Sequence, residues 1–183
     1  MRPLRRIADV IRNTHVKNQA RAVHEGAAES YGYLATRYAS TDVPAERARL
    51  LRAMAGQEAT MSVTDEAPWG PYQMADGRTR ADSSRLSSDL LYLLADVEDC
   101  AANVPGNREL RWHRSYAGLL DIDAWEIAQK MAGTPDQAER DALLGPLSYA
   151  VAPTVGSQAA ETVWCLRNRE ISPPHALDRK QGA

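Results

Sequence analysis

The sequence predicts an all-α protein, a single-domain bundle of five or six helices, on three observations. Apolar residues recur at spacings of three and four along most of the chain, the period of a buried helix face. Proline, glycine and short polar clusters interrupt that pattern where helices would stop and start. A length of 183 residues with 44% hydrophobic and 25% charged composition is the balance of one globular domain able to bury a core without staples. The domain is expected over residues 1–170, followed by a polar C-terminal tail over 171–183.

Val16, Ala20, Val23, Ala27, Tyr31 and Leu34 form one stripe of a long first helix, with Leu4, Ile7 and Ile11 as a shorter stripe upstream. Ser40-Thr41-Asp42 ends that region, and Pro44 suits the first turn of a second helix lined by Leu50, Leu51 and Met54. Residues 62–83 read as one long aromatic Pro/Gly loop, with Pro68-Trp69-Gly70-Pro71-Tyr72 and Asp76-Gly77 inside it. Two aromatics between prolines make either a rigid contact surface or a plug that seals one end of the bundle.

The strongest helix follows. Leu86, Leu90, Leu93, Leu94, Val97 and Ala101 share one face, Asp89, Asp96, Glu98 and Asp99 lie off it, and Ser83 or Ser84 is the expected cap. After a turn at 103–107, Leu110, His113, Ala117, Leu120, Ala124, Ile127 and Met131 form a heptad-like seam. A competing reading breaks this helix at a capping box, Asp123-Ala124-Trp125-Glu126, with Ile122 and Ile127 as its hydrophobic staple. Thr134-Pro135-Asp136-Gln137 starts the next helix and Gly145-Pro146 stops it. Residues 147–155 alternate apolar and other side chains as a short extended piece would, and a last helix runs over 157–170.

Composition narrows the function classes. The net charge of −2 is too small for wholesale nucleic-acid or membrane binding. Phe is absent, and 19 Arg stand against 3 Lys, a bias that a GC-rich genome produces. Cys100 and Cys165 lie far apart without CxxC spacing, which favours a reduced, cytoplasmic setting. No segment has the apolar length of a membrane span.

Charge is uneven along the chain. Residues 1–60 hold ten basic and six acidic side chains, whereas 61–120 and 121–183 each hold six basic and nine acidic. A positive N-terminal part and an acidic remainder suit pairing within one molecule or between copies. The basic run of Arg2, Arg5, Arg6, Arg12, Lys17 and Arg21 against Asp9 is like a surface-seeking helix, though a solvated face is the plainer account.

The main site chemistries leave few marks on the chain. A di-iron bundle needs two Glu-x-x-His pairs, and none occurs. His24, Glu25 and Glu29 on one helix and Glu109 with His113 on another form the alternative metal set, contingent on their meeting across helices. No Gly-x-Ser-x-Gly elbow, phosphate loop or zinc spacing is present. The 127–141 region imitates a helix-turn-helix, but Asp136, Glu139 and Asp141 outweigh Arg140 where a groove-reading helix should be basic. A basic-aromatic patch of Arg108, Arg111, Trp112, His113 and Arg114 suits a nucleotide or single strand, while simple ion pairing of Arg111 is the blander reading.

The leading expectation is therefore a non-catalytic interaction protein, an accessory or structural subunit of a larger bacterial or phage assembly. It would need no cofactor and would bind a protein partner or its own copies. Trp69, Tyr72, Arg108, Arg111 and Trp112 are its candidate interface residues. The alternatives are a helical enzyme or ligand-binding protein with an inter-helix pocket, and a nucleic-acid-binding regulator.

Overall fold

A computed structural model describes residues 2–69, 77–102 and 109–168. The described chain is all-helical, with no strand: α1 (Arg2–Ala39), α2 (Pro44–Trp69), α3 (Arg80–Ala102), a short 3-10 helix (Arg114–Gly118), α4 (Ile122–Ala132), α5 (Gln137–Val155) and α6 (Ser157–Asn168). Trp69 ends α2, and its side chain, with Tyr72, Arg108 and the 171–183 tail, lies outside the described residues.

α1 and α2 form an antiparallel hairpin turned at residues 40–43. The turn closes as Ser40 N–H donates to Arg37 O, and Thr41 Oγ1 accepts from the Val43 N–H. Pro44 then opens α2, at the position where a missing N–H costs nothing. Ala27, Tyr31, Ala35 and Tyr38 bury one face of α1 against Leu51, Met54, Ala55 and Met61 of α2 in a common core. α3 is the hub, packing against α2, the 3-10 helix, α4 and α6.

The expected loop over 62–83 is a correction. α2 continues to Trp69 and α3 begins at Arg80, so much of that stretch is helical. Polar side chains there bond to helix carbonyls instead of breaking the helix. The Thr64 hydroxyl donates to Thr60 O at 3.0 Å, and the Ser62 hydroxyl donates across to Ala81 O at 2.8 Å.

The α3 start also lies earlier than the serines suggested. Thr79 and Asp82 form a reciprocal capping box: Thr79 Oγ1 accepts from Asp82 N, and Asp82 Oδ2 accepts from Thr79 N. Those donors hold the Asp82 carboxyl below its ordinary range, the Thr79 hydroxyl contributing most. Ser83, Ser84, Ser87 and Ser88 are consequently not exposed caps but buried small residues within α3. Ser88 donates to Ala55 O at 2.9 Å and Ser87 accepts from Thr162 at 2.9 Å, so hydroxyls tie α3 to α2 and α6 where bulk would hold them apart.

The continuous seam over 110–131 gives way to the broken reading. Residues 109–113 are non-helical, and α4 is capped by Asp121, whose carboxylate accepts from Ala124 N at 2.9 Å. The cap lies two residues before the one expected. α5 is displaced the other way, its cap lying two residues after the expected Thr134, with Asp136 accepting from Glu139 N.

α5 also runs through Gly145-Pro146, and the extended piece at 147–155 is absent. Leu144, Leu147, Val151 and Val155 are buried at helical spacing, while Tyr149 is 73% exposed. Pro146 and Pro153 lie seven residues apart on the outer side, where carbonyls that lose an N–H partner meet water. Gly156, at φ 86°, then supplies the left-handed backbone that turns the chain into α6.

Candidate functional site

Three places on the molecule concentrate chemistry. The first is a sealed cluster of charge where α1, α2, α3 and α5 meet. Arg47 Nε donates to Glu98 Oε1 at 2.8 Å, its Nη2 donates to Asp141 Oδ1 at 2.6 Å and to the Tyr38 hydroxyl, and its guanidinium carbon sits 4.0 Å from the Tyr38 ring centre. Arg140 holds the other oxygen, Glu98 Oε2, at 3.2 Å, and donates to the Thr134 and Pro135 carbonyls at the α4–α5 turn. Gln137 links Arg140 to Asp141.

Arg47, Glu98 and Arg140 are each buried to within a few per cent, and two positive charges face two negative ones. Desolvation opposes the charge on Arg47, but Tyr38, Glu98 and Asp141 together outweigh it and its pKa rises. Burial pushes the Tyr38 phenol well above its ordinary value. Paired and closed to solvent, this cluster joins helices and offers no face to a substrate. Arg140 in particular is not available to a phosphate.

The second place is a cleft of about 470 Å³ between the outer face of α3 and the 110–119 segment. Asp89, Tyr92 and Asp96 come from α3, and Arg111, His113, Ser115, Tyr116 and Leu119 form the other wall. The wall is anchored by buried Leu110, Tyr116 and Leu119, and Thr154 donates to Leu119 O at 2.6 Å. Trp112, half exposed and outside the cleft lining, packs edge-on against Trp125 at 5.1 Å and against Tyr116 at 6.4 Å.

Within the cleft, Asp96 is engaged on both oxygens, by Arg52 at 2.9 Å and by the Tyr116 hydroxyl at 2.5 Å. Burial, followed by the Asp96 charge, pushes the Tyr116 phenol well up. Asp89 has only Arg85 at 3.8 Å, and partial burial pulls its carboxyl above the ordinary value. Arg111 has no ion pair or hydrogen bond among the described residues, so the simple pairing expected for it does not occur.

His113 is another correction. It is an exposed cap rather than part of an apolar seam, with Nδ1 accepting from Ser115 N and lying 2.7 Å from Ser115 Oγ. Both contacts lie within one turn of chain, and no carboxylate hydrogen-bonds the ring among the described residues. A serine two residues after a histidine was the available signal for it.

The alternative metal set does not converge. His24 is buried with Nδ1 3.2 Å from Thr64 Oγ1, Glu25 is exposed and paired with Arg21, and Glu29, Glu109 and His113 are exposed elsewhere. Among the described residues no group of three or more His, Cys, Asp or Glu side chains is placed to hold a metal ion.

The third place is the N-terminal part of α1. His24 lies beside Thr64 and Tyr38 beside Arg47, which sets the register of the hairpin. In that register α2 ends level with about residue 19, and α1 continues beyond it for about 25 Å at 1.5 Å per residue. Residues 13–19 are all exposed, Val16 at 52%, and Val23 on the next turn is 50% exposed.

No protein-family model, curated protein or solved structure matches the chain. No described helix is long and apolar enough to cross a membrane.

Proposed function

We propose that the protein is a non-catalytic helical interaction protein, an accessory or structural subunit of a larger assembly, and that the N-terminal part of α1 is its contact element. The observation that carries this reading is the overhang of α1. A helix usually owes its stability to packing of one face, and an uncovered run is marginal on propensity alone. Here the run beyond α2 leaves residues 13–19 exposed, and its sequence brings Leu4, Ile7, Ile11 and Val16 together with Arg2, Arg5, Arg6, Arg12 and Lys17. Apolar and basic groups on a projecting helix suit an acidic protein surface with an apolar centre.

The cleft beside α3 favours a second reading, a ligand-binding protein. Its volume lies in the range of small-molecule sites. Asp89 and Arg111 put opposite charges without a hydrogen-bonded partner on its two walls, which suits a small zwitterion.

The experiment for the contact element is photo-crosslinking in the native cell from p-benzoylphenylalanine placed at Val16. A defined protein adduct supports the reading. Illumination that yields no protein adduct overturns it.

A further inference from the structure

We infer, on the ligand-binding reading of the cleft beside α3, that this cleft takes a short peptide with free ends. Arg111 and His113 hold its carboxylate, and Asp89 holds its ammonium.

The anion end is built on the 109–113 segment. His113 has extended backbone, with φ -121° and ψ 146°. Side chains two apart on extended chain face the same way, so Arg111 and His113 share the cleft while Trp112 between them packs on Trp125. His113 Nδ1 accepts the Ser115 N–H, which leaves the ring proton on Nε2. Both side chains therefore offer N–H donors, and Arg111 has no ion pair or hydrogen bond among the described residues. A guanidinium beside an imidazole N–H suits the two oxygens of a carboxylate.

The cation end is on α3. Asp96 spends one oxygen on Arg52 and the other on the Tyr116 hydroxyl. Asp89 is the other carboxylate in the lining, and among the described residues it meets only Arg85, at 3.8 Å and without a hydrogen bond. An ammonium has its acceptor there.

The two ends stand apart. Tyr116 ties its wall to α3 at Asp96. From that tie the wall runs toward the start of α3, because Leu119 O accepts from Thr154, and Thr154 O accepts from Arg78, two residues before α3. Arg111 and His113 precede Tyr116 in the chain, and the His113 ring lies 6.0 Å from the Tyr116 ring, so they belong to the Asp96 end. Asp89 lies seven residues back from Asp96, about 10 Å along α3 at 1.5 Å per residue. A free amino acid carries both charges on one carbon and does not reach both ends. A peptide of two or three residues, extending about 3.5 Å per residue, does. Tyr92, 45% exposed and between Asp89 and Asp96 on α3, gives its middle an apolar wall.

The test is isothermal titration calorimetry on the full chain with alanine, dialanine and trialanine. The better of the two peptides should bind at least about tenfold more tightly than alanine. Acetylating its amine or amidating its carboxylate should each weaken it at least about tenfold, because a charged partner in the cleft is then left unmatched. In Arg111→Ala the amide should bind as well as the free peptide while the acetyl penalty persists, and in Asp89→Asn the reverse should hold. Neither side chain is buried, and circular dichroism confirms that both variants keep wild-type helicity.

Alanine binding as tightly as either peptide overturns the inference and leaves the zwitterion reading of the cleft standing. No binding by any of the three at millimolar concentration overturns both. End-group penalties that persist unchanged in both variants place the peptide elsewhere and overturn the inference as well.

Discussion

The two ends of the α1–α2 hairpin treat charge in opposite ways. Near Tyr38, Arg47 and Arg140 are withdrawn from water and met by Glu98 and Asp141, with backbone carbonyls and a phenol taking further N–H groups. At the other end, a sequence rich in basic residues runs along a helix whose residues 13–19 are all exposed. Burying an ion network adds little net stability over apolar packing, but it penalises any arrangement that separates the partners. Exposed charge adds almost nothing to the fold and is free to act on another molecule at a distance. One end sets how the helices meet, and the other leaves residues 13–19 exposed.

Removing the centre of the buried network is the harshest way to test that contrast. Glu98→Ala leaves two guanidinium groups in the interior without their shared carboxylate and should cost about 3–5 kcal/mol in urea denaturation. A loss below about 1 kcal/mol would mean the cluster is hydrated, and the contrast between the two ends would dissolve.

The start of α4 sharpens the comparison at smaller scale, because its carboxylates divide by role. Asp121 satisfies a backbone N–H at the start of α4, so Asp121→Ala should lower stability by about 1 kcal/mol. Asp123→Asn, two residues on in the same first turn and without such a bond, should stay within about 0.5 kcal/mol by the same denaturation assay. Equal losses at both sites would show that charge at the helix N-terminus, rather than the specific cap, is what matters.

The smallest effect belongs to the cleft. Partial burial raises the Asp89 carboxyl, with Arg85 opposing, so the folded state prefers its protonated form. Its favourable contribution is full below the ordinary carboxylate range and is lost as pH rises through the raised value. Asp89→Asn should therefore raise the Tm at pH 7 and leave it unchanged at pH 3. A lower Tm at pH 7 would place a stabilising partner on Asp89 and remove it from the cleft's uncompensated charge.

Much of the helical architecture was legible because buried faces repeat with the period of the helix. Ala27, Tyr31, Leu90 and Leu94 are buried as the spacing required, whereas Val16 and Val23 of the same first stripe are exposed. The errors share a cause. Ser62 and Thr64 looked like loop, Ser83 to Ser88 looked like exposed caps, and Gly145-Pro146 looked like a stop. In each case tertiary context overrode local propensity: a carbonyl across the interface for Ser62 and Ser88, and an exposed outer side of α5 for Pro146.

The candidate surfaces were less legible. Arg111, Trp112 and His113 emerged from sequence as one patch, and they do share a corner of the fold beside the cleft. The carboxylates opposite them lie about twenty residues earlier on α3, and no local pattern announces that pairing. Arg47, Glu98 and Arg140 were invisible as a group for the same reason. Their separations along the chain, 51 and 42 residues, bear no relation to any helical period.

What the sequence determined by itself is the all-helical class, the main buried stripes and the imbalance between a basic beginning and an acidic remainder. These depend on residue type and spacing along one helix, which the chain carries locally. Tertiary structure alone decided where the charges lie relative to one another. The antiparallel register of α1 and α2 carried the basic run past the end of its partner, and the Arg140 bonds drew the start of α5 to the far end. Long-range pairing is settled by which surfaces can be buried together, and that is a property of the packed molecule rather than of any segment in it.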